Sequence, residues 1–171
     1  YTTILINNPK TDLRDEEYSL LLDYMERGGR MLVLLDYETP DNLQNFNRLL
    51  SRYGLSYQAN GWCVAEKNNV VAQTKDGAGV VFIPKLGEQH NITSTLTGSN
   101  DKLIMMNAVP IQISKSVQRN TQITPFLTTS DEAKLYSYLS SEGEGNYVIQ
   151  PEEPEASEAP YTLGVVVSEQ T

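Results

Sequence analysis

Cys63 and His90 are the two side chains of this sequence best suited to nucleophilic catalysis, and each residue type occurs once. A cysteine attacks a carbonyl carbon when a neighbouring base activates its thiol. The segment Gly61-Trp62-Cys63-Val64-Ala65 partly matches the Gly-x-Cys-x-Gly turn that exposes such a thiol, but its second glycine is absent. Ile92 stands where a carboxylate would orient His90. We therefore interpret Cys63 as a core residue on a strand and His90 as a hydrogen-bonding loop residue, and expect no enzyme.

Sites for a metal or a nucleotide have little support in the sequence. No carboxylate lies at helical spacing from the histidine or the cysteine, so no metal-binding pattern is formed. Gly77-Ala78-Gly79 is too short for a dinucleotide fingerprint, and no Walker phosphate loop occurs. We expect no cofactor, and we do not expect this chain to hydrolyse ATP.

Polar residues follow two apolar segments at the points where predicted strands end. Asn7 and Asn8 follow the first segment, and Asp36 and Glu38 follow the second. In open α/β sheets, ligands bind at the carboxyl ends of the strands, so these side chains could hydrogen-bond a sugar or a peptide. In the alternative interpretation the asparagines form the turn before Pro9 and Asp36 caps a nearby backbone.

The elements that would position these residues begin with a strand, a helix and a second strand. The run 3–6 is β-branched and apolar, and Pro9 ends it. A helix follows, with Thr11 or Asp12 as its cap and Gly28 at its end. The run 31–35 is apolar without alternation, which is typical of a strand buried on both faces. Two strands joined by such a helix form a βαβ unit with parallel strands, so the fold class is α/β.

The rest of the chain is predicted from weaker patterns. Asp41 or Asn42 is expected to cap a second helix that ends at Gly54. Ser130 is expected to cap a short helix containing Leu135, Tyr138 and Leu139. Further strands are predicted at 55–57, 62–65, 70–73, 80–83, 104–106, 111–113, 123–128 and 162–167. Residues 142–160 form a predicted acidic loop rich in proline and glutamate, within a single domain that spans 1–171.

Charge and hydropathy exclude two classes of partner. The net charge is −9, and no lysine or arginine follows Lys134. A basic stripe for phosphate backbones is absent, which argues against binding to nucleic acid or to anionic lipid. The longest wholly apolar run, 31–35, is far shorter than the roughly 20 residues that cross a bilayer, so we expect no direct membrane insertion of these residues. The late glutamates lack the spacing of a calcium loop and are interpreted as a solvated loop.

Several segments resemble one family in the same order. Residues 4–13, ILINNPKTDL, and 22–36, LDYMERGGRMLVLLD, are similar to the auxiliary component of uncharacterised and gliding-motility-type bacterial ABC transport systems. Residues 42–57 resemble the helix and Tyr-Gly-Leu turn that follow in that family. Residues 89–93 resemble its His-Pro-Ile-Thr segment, with Asn91 in place of proline, and 125–130 and 161–165 resemble its closing strands.

The resemblance implies a three-layer, mostly parallel sheet, flavodoxin-like or glutamine-amidotransferase-like, with further strands upstream of Tyr1. It also implies a non-catalytic interaction or scaffold domain on the extracytoplasmic side of the bacterial cytoplasmic membrane. Transmembrane helices elsewhere in a longer protein would anchor it beside ATPase and permease subunits. The alternative is a soluble α/β domain that binds a glycan or peptide at Asn8, Asp36 and Glu38, or a hydrolase of amidotransferase type using Cys63 and His90.

Overall fold

The computed structural model describes residues 2–59, 61–75, 77–87, 91–97, 100–116, 120–137 and 159–169. His90, Tyr138, Leu139 and the part of the acidic loop from 142 to 158 lie outside the described residues.

The chain opens with the predicted βαβ unit. Strand β1 (Thr3–Asn7) and strand β2 (Arg30–Leu34) are parallel, with Ile4 opposite Met31. Helix α1 (Asp15–Glu26) joins them, and acidic residues in its first turn complement the positive end of the helix dipole. Gly28 has φ of 81°, a left-handed conformation that glycine adopts without strain and that ends the helix. The predicted order of strand, helix and parallel strand is confirmed.

Helix α2 (Gln44–Arg52) packs beneath the two parallel strands. Phe46 and Leu49 are fully buried, and Phe46 lies in a cluster with Ile6 of β1 and Val33 of β2. Met31 packs on a second cluster that joins α2 to Tyr18 of α1. Both helices therefore cover the same face of the β1–β2 pair.

The caps of the two helices differ from the prediction. Arg14, not Thr11 or Asp12, is the N-cap residue of α1, and its N–H donates to Glu17 Oε2 at 2.9 Å. Asp12 instead caps α2: its Oδ2 accepts from Asn45 N at 2.9 Å and its Oδ1 from Phe46 N at 3.0 Å. The predicted cap by Asp41 or Asn42 is therefore wrong, because a carboxylate more than thirty residues away reaches the free amides first.

The contribution of Asp12, the cap of α2, to the stability of the fold can be tested together with its pH dependence. Burial alone would raise the pKa of Asp12, but backbone N–H groups of α2 and of Leu13 outweigh it and hold the pKa below its ordinary value. Asp12→Ala is expected to lower the free energy of unfolding by about 2 kcal/mol at neutral pH. A depressed pKa stabilises the fold above the unfolded-state value of about 3.9. The difference between wild type and variant should therefore shrink as pH falls through that value toward the lower folded-state pKa.

Urea denaturation at several pH values measures this effect, and Asn42→Ala is the matched control because Asn42 is exposed next to the same helix. We expect Asn42→Ala to change the free energy of unfolding by less than about 0.5 kcal/mol. Equal losses in the two variants would mean that Asp12 does not act as the cap.

Beyond α2 the strands pair antiparallel. A five-stranded sheet has the order β3-β9-β12-β10-β7, β11 pairs with β4, and β5, β6 and β8 form a third sheet. The strands are β3 (Leu55–Tyr57), β4 (Trp62–Ala65), β5 (Val70–Ala72), β6 (Val81–Phe82), β7 (Lys85–Leu86), β8 (Met105–Met106), β9 (Ile111–Ile113), β10 (Thr121–Thr128), β11 (Lys134–Ser137) and β12 (Thr162–Glu169). Among the described residues, the only helix between β3 and β12 is α3 (Ser94–Thr97).

The prediction of a three-layer, mostly parallel α/β sheet of the flavodoxin or glutamine-amidotransferase type is therefore wrong. Parallel neighbours need a crossover of a dozen or more residues, usually a helix, whereas antiparallel neighbours can be joined by a short turn. In the described part of the chain only β1 and β2 are parallel. The short, closely spaced strands after Gly61 favour antiparallel pairing.

The short helix predicted after Ser130 is also wrong. Residues 134–137 form β11, which pairs with β4 so that Tyr136 lies opposite Cys63. Leu135 and Tyr136 are both buried. Tertiary pairing overrides the weak helical spacing of this segment.

Candidate functional site

The ends of the two parallel strands bring the predicted binding residues together. Asn8 follows β1 and Asp36 follows β2, and Thr39 connects them. Thr39 Oγ1 donates to Asn8 Oδ1 at 3.0 Å and accepts from the backbone N–H of Asp36 at 3.0 Å. Thr39 is fully buried, so this connection is internal to the fold. The sequence offered no pattern that singles out Thr39.

Asp36 and Glu38 complete a hydrogen-bonded turn. Asp36 Oδ1 accepts from Glu38 N at 3.0 Å, and its carbonyl accepts from Thr39 N at 2.9 Å. Lys10 Nζ donates to Glu38 Oε2 at 3.1 Å and Tyr37 Oη donates to Oε1 at 3.2 Å. The hydrogen bond from Lys10, then that from Tyr37, lowers the pKa of the exposed Glu38. These bonds match the turn-and-cap interpretation, and ligand binding at Asn8, Asp36 and Glu38 stays a prediction.

Cys63 lies in the interior of the fold. Its side chain is fully buried on β4, in a cluster with Ala78, Val80 and Tyr136. Burial, together with the negative charge of Asp36, raises the pKa of the thiol to about 12. The thiol is therefore protonated at neutral pH and is a weak nucleophile. The interpretation of Cys63 as a core residue is confirmed.

A large groove lies between β2 and β12, and we call it the β2–β12 groove. Its volume is about 740 Å³. Residues 30–35 form one wall, β12 from Leu163 forms the other, and Leu50 and Tyr53 lie at its α2 side. The sequence analysis did not identify this groove.

The opposite face of the parallel pair is apolar and exposed, and we call it the bare face. Leu5 of β1 and Leu32 and Leu34 of β2 are 57%, 51% and 45% exposed. The prediction that the run 31–35 is buried on both faces is wrong for this chain, since both helices pack on the other face. The unbroken apolar run 31–35 was the sequence signal for this exposed apolar surface.

The described ranges show no group of three or more His, Cys, Asp or Glu side chains placed to hold a metal ion. In the same ranges, none of the helices has both the length and the apolar character that crossing a membrane requires.

Comparison with known proteins links the chain to a transport family. The sequence profile of the family described as "ABC-type uncharacterized transport system" matches residues 1–171. No curated protein sequence matches the chain significantly.

One similar solved structure is described as "mmIFT52 N-terminal domain". It has a TM-score of 0.54 and 15% sequence identity, and the match covers 84% of this chain and 62% of that chain. The chain thus spans less than two thirds of the length of that structure. At this identity the likeness concerns the fold alone.

Proposed function

The chain belongs to the family of auxiliary components of uncharacterized ABC-type transport systems, and we propose that it is a non-catalytic interaction domain of such a system. It acts on the extracytoplasmic side of the bacterial cytoplasmic membrane, as part of a longer protein anchored by transmembrane helices outside residues 1–171. Its partners are the permease and, through the full-length protein, the ATPase. The sequence segments that resemble gliding-motility-type systems support this placement.

The bare face is the observation that carries this proposal. Three leucines on two neighbouring strands form a contiguous apolar surface, and each exposes about half of its side chain. Single exposed leucines are ordinary, but a contiguous apolar patch on a solvent-exposed face marks an interaction site. Burying half of a leucine side chain contributes about 1 kcal/mol, so Leu32 and Leu34 together contribute about 2 kcal/mol to association.

The burial of Cys63 and the raised pKa of its thiol support a role without catalysis. A nucleophilic cysteine needs an accessible thiolate, and this thiol is buried with its pKa raised to about 12. The sequence also contains no Walker phosphate loop for ATP. Binding through a surface requires neither feature.

Cross-linking on intact spheroplasts tests the partner and the side of the membrane together. A reagent that reacts with amines and cannot cross the cytoplasmic membrane should join the full-length protein to the permease. Leu32→Gln combined with Leu34→Gln should weaken the association about thirtyfold, which corresponds to the loss of about 2 kcal/mol. The cross-linked product should fall accordingly.

Leu20→Gln is the matched control, because Leu20 is 69% exposed on α1, which covers the opposite face of the parallel pair. It should leave the product unchanged. No product on intact spheroplasts would contradict the extracytoplasmic placement. An equal loss with Leu20→Gln, or no loss with the double variant, would contradict docking through the bare face.

A further inference from the structure

The walls of the β2–β12 groove are two strand edges that have no neighbouring strand among the described residues. In the described part of the chain, β2 pairs with β1 alone. β12 pairs with β10 along its length, but on its other side it meets β9 only at Thr162, opposite Ile111. Both free edges line the same groove.

The register of the parallel pair shows which backbone groups of β2 face the groove. Asn8 N–H donates to Leu34 C=O at 2.8 Å, so the backbone groups of Leu34 point toward β1. Backbone groups alternate in direction along a strand with a period of two residues. Those of Val33 and Met31 therefore point away from β1, into the groove.

The size of the groove fits one strand of the length of β2. Strand residues are spaced 3.3 Å along the chain, strands about 4.8 Å apart and sheets about 10 Å apart, so one residue fills about 160 Å³. The groove volume of about 740 Å³ therefore leaves room for a strand of the length of β2. β2 is itself five residues long.

The partial charges of the backbone groups on the two strand edges determine which kind of molecule fits the groove. A free strand edge presents N–H and C=O groups in alternation, so its partial charges alternate in sign at the spacing of another extended backbone. Lipid tails have no such groups. Apolar side chains at alternate positions of an added strand would contact Leu50 and Tyr53 of α2.

We propose that the β2–β12 groove binds an extended, apolar segment of about five residues from a partner protein of the transport system, which adds as a strand between β2 and β12. This inference rests on the proposed function, since the segment belongs to a partner of that interaction domain. It specifies how the partner is held: backbone hydrogen bonds to Met31 and Val33 provide affinity, and alternate side chains provide specificity.

Hydrogen exchange of individual amides tests the inference, with a synthetic peptide as the probe. The probe is the acetylated and amidated heptapeptide TTILINN, the sequence of residues 2–8, whose backbone already matches β2 in β1. When the peptide occupies about nine tenths of the grooves, exchange at Met31 and Val33 should slow about tenfold, because only the free fraction exchanges. The same peptide with alternate N-methylated amides should give no protection.

Two variants of Val33 separate backbone pairing from side-chain packing. Val33→Pro removes the backbone N–H that faces the groove and leaves the N–H groups that point toward β1 in place. Val33→Ala also removes the valine side chain but keeps the N–H of residue 33. Peptide protection of Met31 should be lost in Val33→Pro and retained in Val33→Ala. Equal protection in both variants, or by the N-methylated peptide, would overturn the inference.

Other occupants have distinct signatures. Protection that increases with protein concentration alone would assign the groove to a second copy of this chain. Protection by phosphatidylglycerol vesicles without peptide would assign it to lipid. Either result overturns the partner strand. If the peptide fails while Leu32 and Leu34 still control cross-linking to the permease, strand addition is wrong and the proposed function stands.

Discussion

Replacing Phe46 with alanine is expected to lower the free energy of unfolding by about 4 kcal/mol. The ring of Phe46 is fully buried and lies 6.0 Å from the ring of Tyr57 between centroids. It fills the space between α2 and the parallel strands, where it packs with Ile6 and Val33. Removing the ring forfeits the free energy of transferring a large apolar side chain out of water, and it also leaves a destabilising cavity. Urea denaturation followed by circular dichroism measures the change.

Leu32→Ala is the informative comparison for Phe46→Ala. Leu32 belongs to the apolar run that predicted burial on both faces, yet it is 51% exposed. We expect a change of less than about 0.5 kcal/mol in the isolated chain. A loss of several kcal/mol at Leu32 would mean that the bare face is covered within the chain itself, and docking of a partner there would be contradicted.

Replacing Glu66 with alanine is expected to cost about 3 kcal/mol. Glu66 is only 6% exposed, and its carboxylate accepts two hydrogen bonds from one residue: Ser130 N donates to Oε1 at 2.5 Å and Ser130 Oγ donates to Oε2 at 2.6 Å. These bonds connect the segment after β4 to the turn between β10 and β11. Without Glu66, a buried N–H and a buried hydroxyl lose their acceptor. Thermal and urea denaturation measure the loss.

Two further variants distinguish the effect of a buried hydrogen-bond acceptor from the effect of an exposed surface charge. Glu66→Gln keeps one acceptor oxygen and should cost less than the alanine variant. Glu132→Ala removes an exposed carboxylate that contacts Lys67 Nζ at 3.3 Å, and should change the free energy of unfolding by less than about 0.5 kcal/mol. Equal effects at positions 66 and 132 would show that burial of Glu66 does not determine its contribution.

The first 57 residues were predicted well because their signals are local. The apolar runs, the acidic first turn of α1, the left-handed Gly28 and the helical spacing of buried residues in α2 act within a few residues of chain. The locations of β4 and β9 were also correct. Two predictions in the first 57 residues were wrong: the helix caps, since Asp12 reaches α2 from outside its sequence neighbourhood, and the burial of the run 31–35 on both faces, since one face is exposed.

Strand direction after Gly61 could not be read from the same signals. A strand of three or four residues has the same apolar pattern in parallel and antiparallel sheets. The choice depends on which distant strand pairs with it, as when β11 pairs with β4 about seventy residues earlier. That information is carried by packing over the whole domain.

The convergence of Asn8, Asp36 and Glu38 was predictable because parallel strands end at the same edge. Whether such side chains bond within the fold or remain open to a ligand depends on the path of the following turn, and here Thr39 connects the Asn8 side chain to the backbone of Asp36. The groove was not predictable from sequence, because its walls come from β2 and β12, more than 120 residues apart.

The sequence by itself determined the βαβ unit, the positions of most strands and the resemblance to transport-system auxiliary components, because each depends on residues close together in the chain. Only the tertiary structure decided the antiparallel pairing, the bare face and, among the described residues, the two free edges of the β2–β12 groove. These properties depend on what lies opposite each strand, and that is set by contacts between residues far apart in sequence.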